Sequence, residues 1–247
     1  MKIKKDLEKF YDQEAKKYYF SRKKYRSDGY IILEEIKKNP KKTISILEFG
    51  CGSGRFISFL KQNLQNKKIN YIGVDLSKKL LEFAKKDNPK SEFIQDDIFN
   101  YIQQTKQESF DYIVGIASFQ HIPSKKESLF LLKNFYRSLN YGGQLIMINW
   151  SFSKRFIQKY YKSLVSSILK SIYTASKHSW NDLYIPWKNK GVVSKRYYHI
   201  FTKKEIENLT KTTGFKTKLL THVDNKGQTK ENRKNSNNII FIGEKNI

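Results

Sequence analysis

At 247 residues the chain is long enough for one domain with additions and too short for several, and its single cysteine, Cys51, excludes an intramolecular disulfide and a cysteine-based zinc cluster. A formal net charge of +25 points to a polyanionic partner, nucleic acid ahead of an acidic membrane surface. The basic residues are spread evenly, however, and a general over-use of Lys, Asn and Ile gives the same number without any partner.

The opening MKIKKDLEKF has no apolar stretch of the secretory kind, and no later segment approaches the roughly 20 apolar residues of a membrane span. With a lone thiol, this predicts a soluble intracellular protein, cytoplasmic or nuclear. Residues 5–38 read as two helices broken around RSDG, an N-terminal extension within residues 1–40. Alternating units follow: strand 44–49, helix 54–66, strand 69–74, helix 78–87, strands 92–95 and 110–116, helix 124–138, strand 143–150. Ser124 with Glu127 is a capping box for the helix at 124–138. Strands alternating with helices predict βαβ units and a mostly parallel sheet, an α/β fold.

Residues 151–201 read as an insertion after strand five. From Phe152 to Tyr173 a helical stripe (Phe156, Tyr160, Leu164, Ile168, Ile172) predicts core or lid packing, with a basic helix on a membrane surface as the lesser reading. A loop of aromatic and basic residues, SWNDLYIPWKNKGVVSKRYYHIF, comes next. Thr202 and Glu205 then cap a helix ending near Thr213, and two strands, 215–222 and 238–243, close a single domain spanning 1–247.

The apolar strand ILEF runs into three glycines spaced two apart, Gly50, Gly52 and Gly54. Glycine weakens strands, so three at a strand end call for a tight turn that brings main chain against a ligand. The dinucleotide fingerprint G-x-G-x-x-G does not fit, because Arg55 holds the place of its third glycine. The G-x-G-x-G spacing after Glu48 resembles motif I of the class I S-adenosylmethionine (SAM) methyltransferases. Asp75 ends YIGVDLS, Asp96 ends FIQDDIF, and FDYIVGIASFQHI and LNYGGQLIMINW match the fourth and fifth strands of that family. Either acid alone is an ordinary turn residue; in this order they form a set.

That resemblance implies a Rossmann-like, seven-stranded, mostly parallel sheet with helices on both faces. It implies SAM held by Lys24, Glu48, Gly50, Cys51, Gly52, Gly54, Asp75, Leu76, Asp96, Asp97, Ile98, Ile116 and Ala117. Asp75 would take the ribose, Asp96 the adenine amino group, and Ile98 the face of the base.

The residues also narrow the chemistry. Methylation of a pyrimidine at C5 employs a cysteine nucleophile, and the only thiol sits in the glycine turn. Exocyclic amines are served by an Asp/Asn-Pro-Pro-aromatic motif, where this chain has Ser118-Phe119-Gln120-His121. Carboxylates, thiols and activated hydroxyls remain. The elements DLYIPW and KRYYHIF, with YDQEAKKYYFSRKKY near the N-terminus, resemble the eukaryotic tRNA wobble-uridine carboxymethyl methyltransferases, including the methyltransferase domain of the AlkB-homologue tRNA enzyme. Departures are Lys24 for the family arginine, Gln120 for the first histidine of a pair, Ile122 for an aromatic, and a short insert before Arg196.

This second resemblance implies methyl esterification of a 5-carboxymethyl group on the wobble uridine of tRNA. The partners it implies are the anticodon stem-loop and a small zinc-ribbon activator subunit. A carboxylate is ionised at pH 7 and needs no general base, so the protein must position it and manage charge. Arg196, with its bidentate fork, is the expected anchor. Tyr198, His199 and His121 are the other expected catalytic residues, with Tyr25, Trp187 and Tyr197 on the substrate. Alternatives are a methyltransferase for a small-molecule carboxylate or hydroxyl, and a SAM-fold subunit that only scaffolds a partner.

Overall fold

The computed structural model describes residues 2–22, 27, 29–174, 179–189 and 192–246. Two helices, α1 (Lys2–Ser21) and α2 (Gly29–Lys37), precede β1 (Thr43–Phe49), α3 (Arg55–Asn63), β2 (Lys68–Asp75) and α4 (Lys78–Asp87). Then come β3 (Glu92–Gln95), α5 (Ile98–Gln104), β4 (Phe110–Ile116), α6 (Lys125–Ser138) and β5 (Leu139–Trp150). The insertion holds α7 (Lys154–Tyr173), β6 (Asp182–Asn189) and β7 (Val192–His199). The chain closes with α8 (Lys203–Thr212), β8 (Lys216–Val223), β9 (Thr229–Lys230) and β10 (Asn238–Glu244).

The main sheet runs β3-β2-β1-β4-β5-β10-β8-β9. β1 to β5 are mutually parallel, and β10 enters antiparallel between β5 and β8. The sheet therefore has eight strands, not seven. The extra one is the two-residue β9, which pairs with β8 from inside a polar segment whose composition carries no strand pattern. The predicted aromatic loop after α7 is a second, two-stranded sheet, β6 against β7. Its Lys and Asn content hid two paired strands whose alternate side chains leave on opposite faces, which decides the site below. The short helix α5 was also not expected, though Asp97 caps it through Phe99 N–H.

Local rules explain most of the rest. Ser77, Ser124, Ser153 and Thr202 accept from main-chain amides at the starts of α4, α6, α7 and α8. Thr202 and Glu205 close a full capping box, whereas the Ser124 hydroxyl donates to the Glu127 carboxylate and the reciprocal backbone bond is absent. The central strands read as continuous apolar runs because both faces are covered. One apolar core joins α2, α3 and α4 to the sheet through Ile32, Ile36, Leu60, Leu81 and Ala84. The other joins α5, α6 and α8 through Ile102, Leu131, Phe135, Ile206 and Leu209. Each fully buried large side chain contributes about 1.5–3 kcal/mol.

A third, smaller core (Phe152, Phe156, Leu183, Ile185, Tyr198, Ile200) seats α7 on the β6–β7 hairpin. Among the described residues no helix is long and apolar enough to cross a membrane. The strand order reverses direction between β1 and β4, so the carboxyl ends of these two strands open a crevice. α1 packs against α4 and β7 and closes that crevice from above.

Candidate active site

The glycine turn sits at the end of β1. Gly50, Gly52 and Gly54 have φ of +67°, +55° and +70°, left-handed values that cost other residues about 1–2 kcal/mol each. They act differently. A Cβ on Gly50 would stand 2.4 Å from Ser118 Oγ, and one on Gly54 3.0 Å from Phe93 Cζ, so both serve internal packing. A Cβ on Gly52 would meet nothing nearer than 3.9 Å, because this residue faces the cavity. Asp75 fastens the turn: one carboxylate oxygen accepts from Gly52 N–H and the other from Ser77 N–H, each at 2.8 Å. Burial raises the Asp75 pKa, and these amides work against that rise.

One cavity unites most of the expected cofactor residues: Gly50, Gly52, Asp75, Leu76, Asp96, Asp97, and beside them Ile98, Ile116 and Ala117. Glu48, Cys51 and Gly54 are not on its wall; they lie behind the turn. Glu48 is buried with Tyr71 O–H donating to it at 2.5 Å, and burial pushes its pKa up to about 8. Burial likewise pushes the Cys51 thiol up, so it is an inert packing residue under Gly73. Ala117 holds φ +57°, a strained conformation at the mouth of the cavity. Lys24 and Tyr25 lie outside the described residues.

Sequence reasoning missed the roof. Lys4, Leu7, Tyr11 and Tyr18 of α1 line the same cavity, a stripe at i, i+3, i+7 and i+14 that is legible as one helix face. Lys4 Nζ pairs with Asp97 at 2.7 Å, and Asp12 accepts from Ser77 Oγ and from Lys79 N–H at the start of α4.

The R-Y-Y-H segment lies on β7, where alternate side chains leave on opposite faces. Arg196 and Tyr198 point toward α1. The Arg196 guanidinium carbon stands 4.7 Å, 4.9 Å and 5.1 Å from the ring centroids of Phe10, Trp187 and Tyr198. Arg196 is only 5% exposed, makes no ion pair among the described residues, and its Nε has no hydrogen-bond acceptor. Trp187 Nε1 beside it is also buried without an acceptor. Tyr198 stacks on Trp150 at 4.7 Å and 12°.

Tyr197 and His199 point the other way. Tyr197 O–H donates to Asp182 at 2.5 Å, and His199 Nδ1 lies 2.7 Å from the same oxygen. Burial alone would lower the His199 pKa; Asp182 and Glu205 override it and raise the pKa to about 9. This cluster ties the hairpin to the start of α8, and it is not on the wall of the glycine-turn cavity.

His121 joins the two regions. It lines the cavity, its Nδ1 donates to Tyr197 O at 2.8 Å, and Tyr11 O–H donates to its Nε2 at 3.2 Å. The carbonyl can only accept, which fixes the tautomer with the proton on Nδ1. Burial, with the Arg196 charge adding to it, lowers the His121 pKa to about 4.

The glycine turn, the acids at the ends of β2 and β3, and the crevice at the β1/β4 reversal define a class I methyltransferase fold. Residues 46–143 match the family described as "Methyltransferase domain", and SAM is the cofactor of such domains. The cavity fits it: main chain without a Cβ at Gly52, carboxylates at Asp75 and Asp96, and an apolar wall at Ile98 and Ile116.

The chain is 34% identical over 116 residues to malonyl-[acyl-carrier protein] O-methyltransferase 1 of Ilyobacter polytropus, covering 46% of this chain and only 40% of that protein. It is 23% identical over 190 residues to the tRNA (carboxymethyluridine(34)-5-O)-methyltransferase of Schizosaccharomyces pombe, covering 74% and 78% of the two chains. Its fold is similar to a Haloferax volcanii methyltransferase solved with the Trm112 methyltransferase activator, at TM-score 0.64, 11% identity and coverage of 99% and 98%.

Proposed function

We propose that the protein is a SAM-dependent carboxyl O-methyltransferase, and that its substrate is the 5-carboxymethyl group of a wobble uridine in tRNA. One observation carries the reading: a buried guanidinium with no carboxylate partner among the described residues, on the other side of the α1 tyrosines from the cofactor cavity. Burying a lone charge costs several kcal/mol. Contacts with three rings offset part of that, at roughly 1–2 kcal/mol each. The neutral tyrosines around Arg196 supply no countercharge, so an anionic ligand completes the site. The names of the Ilyobacter and Schizosaccharomyces enzymes both specify substrates bearing a free carboxylate, malonyl in one and carboxymethyl in the other.

Gly50, Gly52, Asp75, Asp96 and Ile98 would hold the cofactor, which supplies an electrophilic methyl group when bound. The chain's own residues then have a limited task. The substrate carboxylate is already the nucleophile at pH 7, so no proton must be removed. Arg196 orients it through a bidentate fork, and Tyr198 and Trp187 wall the approach. His121, neutral and bonded at both nitrogens, holds the Tyr11 hydroxyl and the Tyr197 main chain in place rather than acting as a base. Because the anionic charge disappears as the ester forms, the anchor must orient without gripping the reactant too tightly. An activator subunit comparable to the one bound to the Haloferax relative is part of this proposal.

The test is methyl transfer by the full chain to an anticodon stem-loop carrying 5-carboxymethyluridine, with a malonyl-loaded carrier protein in parallel. Methylation of the stem-loop, lost with a uridine lacking the carboxymethyl group, is the expected result. Transfer to the malonyl carrier alone would replace the substrate and keep the chemistry; transfer to neither, with the activator supplied, would remove both.

A further inference from the structure

A second groove opens on the far side of Arg196, and the cofactor chemistry does not use it. Its walls come from α1, the end of β5, α7 and the β6–β7 hairpin. Five lining side chains are cationic: Lys17, Arg22, Arg155, Lys159 and Arg196. Among the described residues no lining side chain is acidic. Trp150, Phe156, Tyr160 and Trp187 supply aromatic surface along the same groove. Three donors that belong to groove-lining residues are buried without an acceptor: Arg196 Nε, Trp187 Nε1 and an Nη of Arg22. Buried polar atoms are rarely left unsatisfied, and such a cluster in a single groove marks where a ligand supplies acceptors. Among the described residues the groove and the cofactor cavity share no lining residue. Tyr11 and Tyr18 of α1 face the cofactor cavity, and Tyr18 stacks against Arg22.

We propose that this groove takes a single-stranded polynucleotide. Arg155, Lys159, Lys17 and Arg22 meet its phosphates along the rim, and the aromatic walls receive an unstacked base whose acidic substituent reaches Arg196. The placement of Arg196 at the end of the track rests on the carboxyl methylation reading; the phosphate track does not. Flat rings interleaved with cations suit a splayed strand, in which bases and phosphates alternate. An acidic protein domain would meet cations on an open face, whereas these cations line a recess together with rings. Arg155 and Lys159 belong neither to the glycine turn nor to the motifs that resemble the methyltransferases, so their role is separable from catalysis.

The probe is a fluorescent unmodified single-stranded oligoribonucleotide of ten nucleotides, titrated with the full chain at several salt concentrations. The double variant Arg155→Glu/Lys159→Glu is compared with Lys204→Glu/Lys211→Glu, an equal charge change on exposed positions of α8 away from the groove. SAM binding by calorimetry reports that both variants are folded. The groove variant is expected to bind the probe at least about tenfold more weakly, with the slope of log affinity against log salt shallower by about 1.4, two single-strand phosphate contacts. The α8 variant should stay within about twofold to threefold of wild type. Equal weakening by both variants would mean only bulk charge is felt and would overturn the proposal. So would unchanged RNA affinity in the groove variant, or a groove variant that loses an acidic carrier protein but not RNA. The two readings fail separately: groove-dependent RNA binding without methylation of carboxymethyluridine sinks the catalytic reading and supports this one. Methylation of a carrier carboxylate without groove-dependent RNA binding does the reverse.

Discussion

His121 donates its Nδ1–H to the main-chain carbonyl of Tyr197 at 2.8 Å, and this one bond ties the turn after β4 to the middle of β7. It fixes the imidazole tautomer, leaves Nε2 to accept from Tyr11, and links β7 to two segments, α1 and the turn after β4, that line the cavity.

A pH prediction follows directly. The His121 pKa is lowered to about 4, so the ring is neutral throughout the physiological range, and a substrate carboxylate is ionised there as well. Single-turnover methyl transfer should therefore be flat between about pH 5.5 and 8. His121→Asn should lower the rate through lost positioning without changing the shape of the profile. An inflection near pH 6.5 in the wild type that vanishes in His121→Asn would show that the ring is a working base.

Arg196 is tested by substitution at constant cofactor binding. Arg196→Ala removes both the fork and the charge, and methyl transfer should fall at least about a hundredfold with near-normal SAM affinity. Arg196→Lys keeps the charge without the fork and should recover only part of the rate. Full-rate turnover by the alanine variant at saturating substrate would take Arg196 out of the site.

Asp75 carries two main-chain amides of the cofactor turn. Asp75→Ala should weaken SAM binding about thirty- to a hundredfold, or roughly 2–3 kcal/mol. Asp75→Asn keeps one acceptor and should lie between. Unchanged calorimetric affinity in Asp75→Ala would sink the assignment.

Glycine substitutions separate backbone strain from crowding. Gly50 and Gly142 both hold positive φ, +67° and +72°. A Cβ on Gly142 meets nothing within 4 Å, whereas on Gly50 it strikes Ser118. Gly142→Ala should cost only the backbone term, about 1–2 kcal/mol in denaturant melts. Gly50→Ala should cost more and abolish SAM binding; equal losses would mean that Ser118 moves aside freely.

The His199–Asp182 pair makes stability depend on pH. The folded His199 pKa stands at about 9 against 6.5 in the unfolded chain, with its side chain only 16% exposed. A raised pKa means the folded state binds the proton more tightly. The contribution is fully present below about pH 6.5 and is lost as pH rises through 9, at most about 3 kcal/mol. Urea melts from pH 6 to 9.5 should show this decline in the wild type, and His199→Gln should be less stable at pH 6 and flatter above it. A parallel slope in the variant would place the titration elsewhere.

What the sequence by itself determined is what local physics encodes. The two periods of apolar residues gave the alternating strands and helices. Glycine at positive φ gave the turn, and the hydroxyls of Ser77 and Thr202 lie where helix starts require them. The acids ending β2 and β3 were legible because strand ends in a parallel sheet all reach one edge. Tertiary structure decided what depends on pairing across distance. Arg196, Tyr197, Tyr198 and His199 read as one cluster, and only the β6–β7 register sends Arg196 and Tyr198 toward α1 and Tyr197 and His199 to Asp182. α1 became the roof of the cavity through Asp12 on Ser77 and Tyr11 on His121, contacts 65 and 110 residues apart in sequence. No local propensity marks such partners. A buried hydrogen bond or ion pair is specified by the two groups that meet, and chain topology alone brings them together.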